Sequence, residues 1–179
     1  MLRILIVEDE PLVAQTLRHL VELNPLYEVT AVAEDSAAAL AAVAQRTPDL
    51  ALIDLQLANG TTGFPVAVRL NELGVPCLFT TGKAPSFPMP DLALGCLVKP
   101  FSHDDLVRAL TMAEDAIRGR QGLQLKANRP ENLRVYAEEQ ARVRMETTEL
   151  LPTPDQSHAR RRFRDRAGRV WRKLSAGQV

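Results

Sequence analysis

The feature that most restricts the fold of this chain is an alternation that runs through its first two-thirds. Short apolar or β-branched runs at residues 3–7 (RILIV), 28–33 (EVTAVA), 50–53 (LALI), 75–80 (VPCLFT) and 94–98 (LGCLV) predict five strands. Residues 11–23, 36–46 and 62–73 separate the first four of these runs, and residues 102–117 follow the last. All four segments repeat apolar positions every three or four residues and predict helices. Nearly continuous apolar strands joined by helical crossovers imply a parallel sheet covered on both faces. The expected class is therefore α/β, a doubly wound five-stranded parallel sheet.

Local signals fit these boundaries. Pro11 suits a first helical turn, where its missing N–H has no partner to lose. Ser102 with Asp105 three residues later has the pattern of an N-cap with acidic charge in the first turn. Pro85, Pro88 and Pro90 crowd residues 84–91, so any helix between strands four and five is expected to be short or absent.

After Gly119 the character changes. Residues 129–150 are rich in Glu and Arg with scattered apolar positions, which reads as a charged linker or solvated helix over 120–154 rather than a second core. From His158 comes HARRRFRDRAGRVWRKL, where Phe163, Ala167, Val170 and Leu174 form one apolar stripe among arginines. The expected division is residues 1–119 as the main domain, 120–154 as linker, and 155–179 as a basic tail, helical or disordered. Charge divides in the same way. Through residue 154 there are 14 Lys and Arg against 20 Asp and Glu, and beyond it 8 against 2, so the zero net charge joins an acidic body to a basic arm.

The two cysteines, Cys77 and Cys96, lie in apolar runs, as buried thiols of a reducing compartment do. No stretch reaches the ~18 consecutive apolar residues of a membrane span, and MLRILIVEDE is too short for a signal peptide. A soluble, cytoplasmic protein is expected.

In a doubly wound sheet, chemistry sits at the carboxyl ends of the strands. The first strand ends in Glu8 and Asp9, the third in Asp54, the fourth in Thr81 and the fifth in Lys99. Carboxylates brought together repel one another unless a cation intervenes, and Mg²⁺ suits one or two carboxylates with waters and phosphate oxygens. Lys99 and the Thr81 hydroxyl can hold phosphoryl oxygens. An ionised aspartate attacking a phosphoryl donor in line needs positioning and charge neutralisation more than covalent help. Asp54 is the natural nucleophile.

The motifs LIVEDE, ALIDLQL, LFTTG and LVKPF, in that order, resemble those of the response-regulator receiver family over residues 2–118. The resemblance implies a flavodoxin-like receiver fold and a signalling phosphoacceptor of two-component systems, not a metabolic enzyme. It implies Mg²⁺ bound directly by Asp9, Asp54 and the backbone carbonyl of Gln56, with Glu8 acting through water. Thr81 and Lys99 would read the phosphoryl group, and a sensor histidine kinase or phosphotransfer protein would be the partner. DLQLANGTTG and PCLFTTG are most similar to stand-alone receivers with a Phe-Ala-Thr-Gly signature, with Thr80 in place of the alanine. The chain departs from the family at Cys96, where most receivers carry a Tyr or Phe three residues before the lysine. Signalling is therefore expected to run through the loop after Thr81.

About 60 residues with so little apolar content cannot build a helix-turn-helix core, so specific DNA binding is not expected. The tail leaves several readings open. Arg160, Arg161, Arg162, Arg164, Arg166, Arg169 and Arg172 with Trp171 offer guanidinium forks and a stacking face for a cyclic dinucleotide. This is similar to chemotaxis-type receivers with arginine-rich extensions that bind cyclic di-GMP and act on the flagellar motor. Alternatively the apolar stripe docks on a downstream protein, the basic helix attaches to nucleic acid or an anionic membrane, or the arginines only solubilise the end.

Overall fold

The structure, a computed structural model, describes residues 1–58, 61–120 and 129–139. In chain order the elements are β1 (Leu2–Val7), α1 (Pro11–Glu22), β2 (Tyr27–Ala33), α2 (Ser36–Gln45), β3 (Leu50–Asp54), α3 (Phe64–Glu72), β4 (Cys77–Thr81), β5 (Gly95–Val98), α4 (His103–Ile117) and β6 (Leu133–Val135). The sheet order is β2-β1-β3-β4-β5-β6. Strands one to five are parallel, and the chain reverses its direction of winding between β1 and β3.

Alternation along the strands divides the core. Ile4, Ile6, Leu50, Leu52, Leu78 and Leu97 face α1 and α4, meeting Leu17, Val21, Leu106 and Leu110. Leu5, Val7, Ala51, Ile53, Cys77 and Phe79 face the other way, toward α2 and α3 with Val43, Val66 and Leu70. The expected turn chemistry is present. Pro11 opens α1, and Ser102 and Asp105 form a complete capping box at α4. Residues 82–94 form no helix, as three prolines there require. Cys77 and Cys96 are buried free thiols, and burial pushes them up to about 12 and about 11 respectively.

The sheet differs from expectation in having six strands. β6 lies in the stretch read as a charged linker or solvated helix, which is helical at residues 136–139, and it pairs antiparallel to β5 with Leu97 opposite Leu133 and Gly95 opposite Val135. A boundary at residue 119 thus leaves out part of the sheet, and the compact unit extends over Met1–Arg142. The physical reason is that a three-residue strand buries few side chains. Leu133 and Tyr136 are buried, yet they stand among charged neighbours and give no periodic signal. No helix among the described residues is long and apolar enough to cross a membrane.

Candidate functional site

β1 and β3 are adjacent with Val7 opposite Ile53, so the next residues, Glu8 and Asp54, emerge side by side. β4 lies on the other side of β3, with Asp54 opposite Thr80, and β5 pairs Val98 with Thr81. The parallel register therefore delivers Glu8, Asp54, Thr81 and Lys99 to one edge. Glu8, Asp54 and Thr81 are buried there, while Asp9 and Lys99 are half-buried.

Lys99 holds the centre. Its Nζ donates to Asp54 Oδ2 at 2.6 Å and to Glu8 Oε2 at 2.7 Å. Burial works to lower the Lys99 ammonium, but the hydrogen bonds to Asp54 and then Glu8 overrule it, and the net shift is upward. Burial raises the Glu8 carboxyl, opposed by the bond from Lys99. Asp54 Oδ1 accepts from the Gln56 N–H at 2.8 Å, which fixes the carboxylate from the side away from Lys99. The Lys99 N–H donates to the Thr81 carbonyl at 2.8 Å, and the Thr81 hydroxyl accepts from the Lys83 N–H at 3.4 Å. The Lys99–Pro100 peptide is cis.

The expected gathering of three carboxylates is instead a pair bridged by Lys99. Among the described residues no three Asp, Glu, His or Cys side chains come together closely enough to hold a metal by themselves. One ammonium facing Glu8 and Asp54, with Asp9 alongside, leaves the edge negative. An all-oxygen, negative donor set fits Mg²⁺, which needs only one or two carboxylates and completes its shell with water and phosphate oxygens.

Gly63 and Asn132 also support this edge, Tyr136 packs on β4 farther back, and nothing in the local sequence marks the three for these places. A Cβ on Gly63 would lie 2.1 Å from the Asp54 carbonyl oxygen, so only glycine lets the loop after β3 fold back on the strand end. The Asn132 backbone carbonyl accepts from the Val98 N–H at 2.9 Å. Its Nδ2 donates to the carbonyls of Val98 and Pro100, each at 3.3 Å, so Asn132 brackets Lys99. Tyr136 packs edge-on against Phe79, two residues before Thr81, with ring centroids 6.3 Å apart. Arg160 to Arg172 with Trp171, the tail residues expected to bind a ligand, lie outside the described residues.

Comparison with known proteins identifies the family and the fold. The profile of the response regulator receiver domain matches residues 4–111. The positive alginate biosynthesis regulatory protein of Pseudomonas aeruginosa is 34% identical over 118 residues, 63% of this chain and 47% of the relative. The DNA-binding response regulator MtrA of Mycolicibacterium smegmatis is 36% identical over 113 residues, 59% and 47% of the two chains. The chain thus spans about half the length of these relatives. Among solved structures, the receiver domain of a modulated diguanylate cyclase from Desulfovibrio desulfuricans superposes with a TM-score of 0.58 at 29% identity, covering 68% of this chain and 99% of that one. A CheY-like receiver domain protein from Methanospirillum hungatei gives 0.59 at 25%, covering 66% and 98%.

Proposed function

The chain belongs to the response regulator receiver domain family of two-component signalling, and from that premise we propose that Asp54 accepts a phosphoryl group from a histidine kinase or phosphotransfer partner. The observation that carries this reading is the shared ammonium of Lys99, 2.6 Å from Asp54 and 2.7 Å from Glu8 at the carboxyl edge of the sheet. Receiver domains are signalling phosphoacceptors and usually bind Mg²⁺ at the phosphorylation site. Here Asp9, Asp54 and the Gln56 carbonyl would hold the ion, with Glu8 supporting it through water, and the ion would supply charge neutralisation to the transferred group.

The chain's own residues do the rest. The Gln56 N–H holds Asp54 through Oδ1, which leaves Oδ2, the oxygen that accepts from Lys99, as the nucleophile. Lys99 exchanges a carboxylate oxygen for a phosphoryl oxygen as the new P–O bond forms and the donor's bond breaks, so its charge follows the charge being moved. Thr81 presents a hydroxyl that can donate to a second oxygen. Beside the edge, Leu12, Val13, Thr16, Leu20 and Phe101 line a shallow apolar groove that reaches Lys99 and Pro100. Leu12 is 72% exposed within it. A helical phosphodonor with an apolar face would seat here.

Incubation with phosphoramidate and Mg²⁺ tests the reading. One phosphoryl group per chain, stable to neither acid nor alkali and absent from Asp54→Asn, is expected. Phosphorylation of Asp54→Asn at the same level would discard it.

A finer reading gives the tail a cyclic di-GMP site, supported by the seven arginines and Trp171 between residues 160 and 172. Calorimetric titration of the full chain and of a chain ending at Pro154 tests it. Binding lost on truncation is expected. Absence of binding to both leaves the stripe of Phe163, Val170 and Leu174 as a surface for a downstream protein.

A further inference from the structure

Residues 129–139 run along the outer side of β5 as a strap, with Asn132 at the phosphoacceptor edge, Tyr136 at the amino end of the strand and Arg134 between them. Asn132 brackets Lys99 through Val98 and Pro100. Arg134 donates to the carbonyl of Pro85, in the irregular segment that follows Thr81, while its guanidinium forks onto Glu139 at 2.7 and 2.9 Å. Tyr136, fully buried, packs on Phe79, and its N–H donates to the Leu94 carbonyl at 3.1 Å.

The strap also occupies a place the rest of the chain leaves open. No helix connects β4 to β5, and the apolar surface of Phe79 and Cys96 on the α2 and α3 side is covered instead by Tyr136, the first residue of a helical turn over residues 136–139, together with Ala84, Met89 and Leu92. Cys96 is small enough to admit the ring. The Tyr136 hydroxyl has no hydrogen-bond partner among the described residues. Burial of an unpartnered hydroxyl is unfavourable, so the ring is seated by its apolar contacts at the expense of its polar end. Gly95 sets the fit of the backbones, since a Cβ there would lie 2.2 Å from the Arg134 carbonyl oxygen.

We propose that the strap is a latch whose seating on β5 is coupled to phosphoryl occupancy of Asp54, with Asn132 and Tyr136 as the coupling residues and release favoured by occupancy. The coupling rests on the phosphoacceptor reading above. The seated strap holds both flanks of Lys99 in the arrangement in which the ammonium is shared by Glu8 and Asp54. Moving that ammonium onto a phosphoryl oxygen, and Thr81 toward another, shifts Val98, Pro100 and the segment after β4 against the bonds from Asn132 and Arg134. By linkage, whatever loosens the strap tightens the phosphoryl state by the same factor. The latch passes the state of Asp54 to the chain beyond residue 139.

The test uses the full chain, with beryllofluoride and Mg²⁺ as the phosphoryl mimic. Hydrogen exchange should quicken at the Val98 and Tyr136 amides, which donate to Asn132 and Leu94, by at least about fivefold, the low end of measured couplings. Tyr136→Ala and Gly95→Ala should each bind beryllofluoride more tightly by a matching factor, and Asn132→Ala, which leaves the aromatic contact in place, by a smaller one. Unchanged or slowed exchange at both amides with beryllofluoride bound overturns the latch, whether or not the Tyr136 and Gly95 variants fold. Unchanged affinity in folded variants overturns it as well. Failure of the unaltered chain to bind beryllofluoride removes the phosphoacceptor reading itself, and with it the latch.

Discussion

The carboxyl edge of the sheet and the strap that closes its far side are built by opposite means. At the edge, Glu8 and Lys99 follow, and Asp54 and Thr81 end, an apolar strand, and four parallel strands in fixed register carry them to one place. In the strap, a three-residue strand and one tyrosine are held by a partner strand about 38 residues earlier, and the segment between is strongly charged. The edge is made by repetition and the strap by fit. Chemistry resides in the part that tolerates little change, and the coupling is carried by a part that only needs to seat or leave.

The sharpest way to break this comparison is at Asp54. Asp54→Asn should lower phosphoryl incorporation more than about a hundredfold, because an amide oxygen is not a nucleophile of this kind, while leaving the Tyr136 contact intact. A variant that loses both incorporation and strap protection in hydrogen exchange would mean the two regions are one cooperative unit.

Tyr136→Ala measures the strap. Removing a fully buried aromatic side chain should cost about 3–5 kcal/mol in denaturant unfolding. A loss below about 1 kcal/mol would show that the ring adds nothing to the core and would erase the contrast.

Lys99→Met examines the edge again, now for stability. Taking away the ammonium leaves Glu8 and Asp54 buried and facing each other, at a cost of about 2–4 kcal/mol near neutral pH. The deficit should shrink on acidification, since protonating either carboxyl relieves the repulsion. In the unaltered chain the Lys99 ammonium is held above its ordinary value near 10.5. Its contribution is therefore fully present below that value and is lost as pH rises through the folded one. A flat stability profile between pH 9 and the alkaline limit would contradict the shared ion pair.

The smallest effect belongs to a pair outside both regions. Arg3 grips Asp49 through two guanidinium bonds of 2.8 and 3.0 Å. These bonds hold the Asp49 carboxyl below its ordinary value near 3.8. The stabilisation is present above that value and disappears as pH falls through the folded one. Asp49→Asn should flatten this acid limb while leaving the neutral-pH stability lower by less than about 1 kcal/mol, as expected for a pair that is about one-third exposed and partly screened by solvent. An unchanged acid limb would assign it to other carboxylates.

Much of this molecule is written locally. Five strands, four helices, the Ser102–Asp105 cap and the helix lost to Pro85, Pro88 and Pro90 all follow from patterns contained within a dozen residues, because burial on one face imposes a period that the residues themselves display. The acidic residues and lysine at the strand ends could be read the same way, as parallel strands alone place their carboxyl ends together. Tertiary structure decided what no local pattern encodes: that Lys99 bridges Glu8 and Asp54, that Gly63 closes on the Asp54 carbonyl, and that Leu133 to Val135 complete the sheet. Tyr136 sits among Arg134, Glu138 and Glu139, and only the gap left by a missing helix, beside a residue as small as Cys96, gives its ring a place to be buried. A cavity belongs to the packed molecule, and its occupant is chosen by shape across distance rather than by any period along the chain.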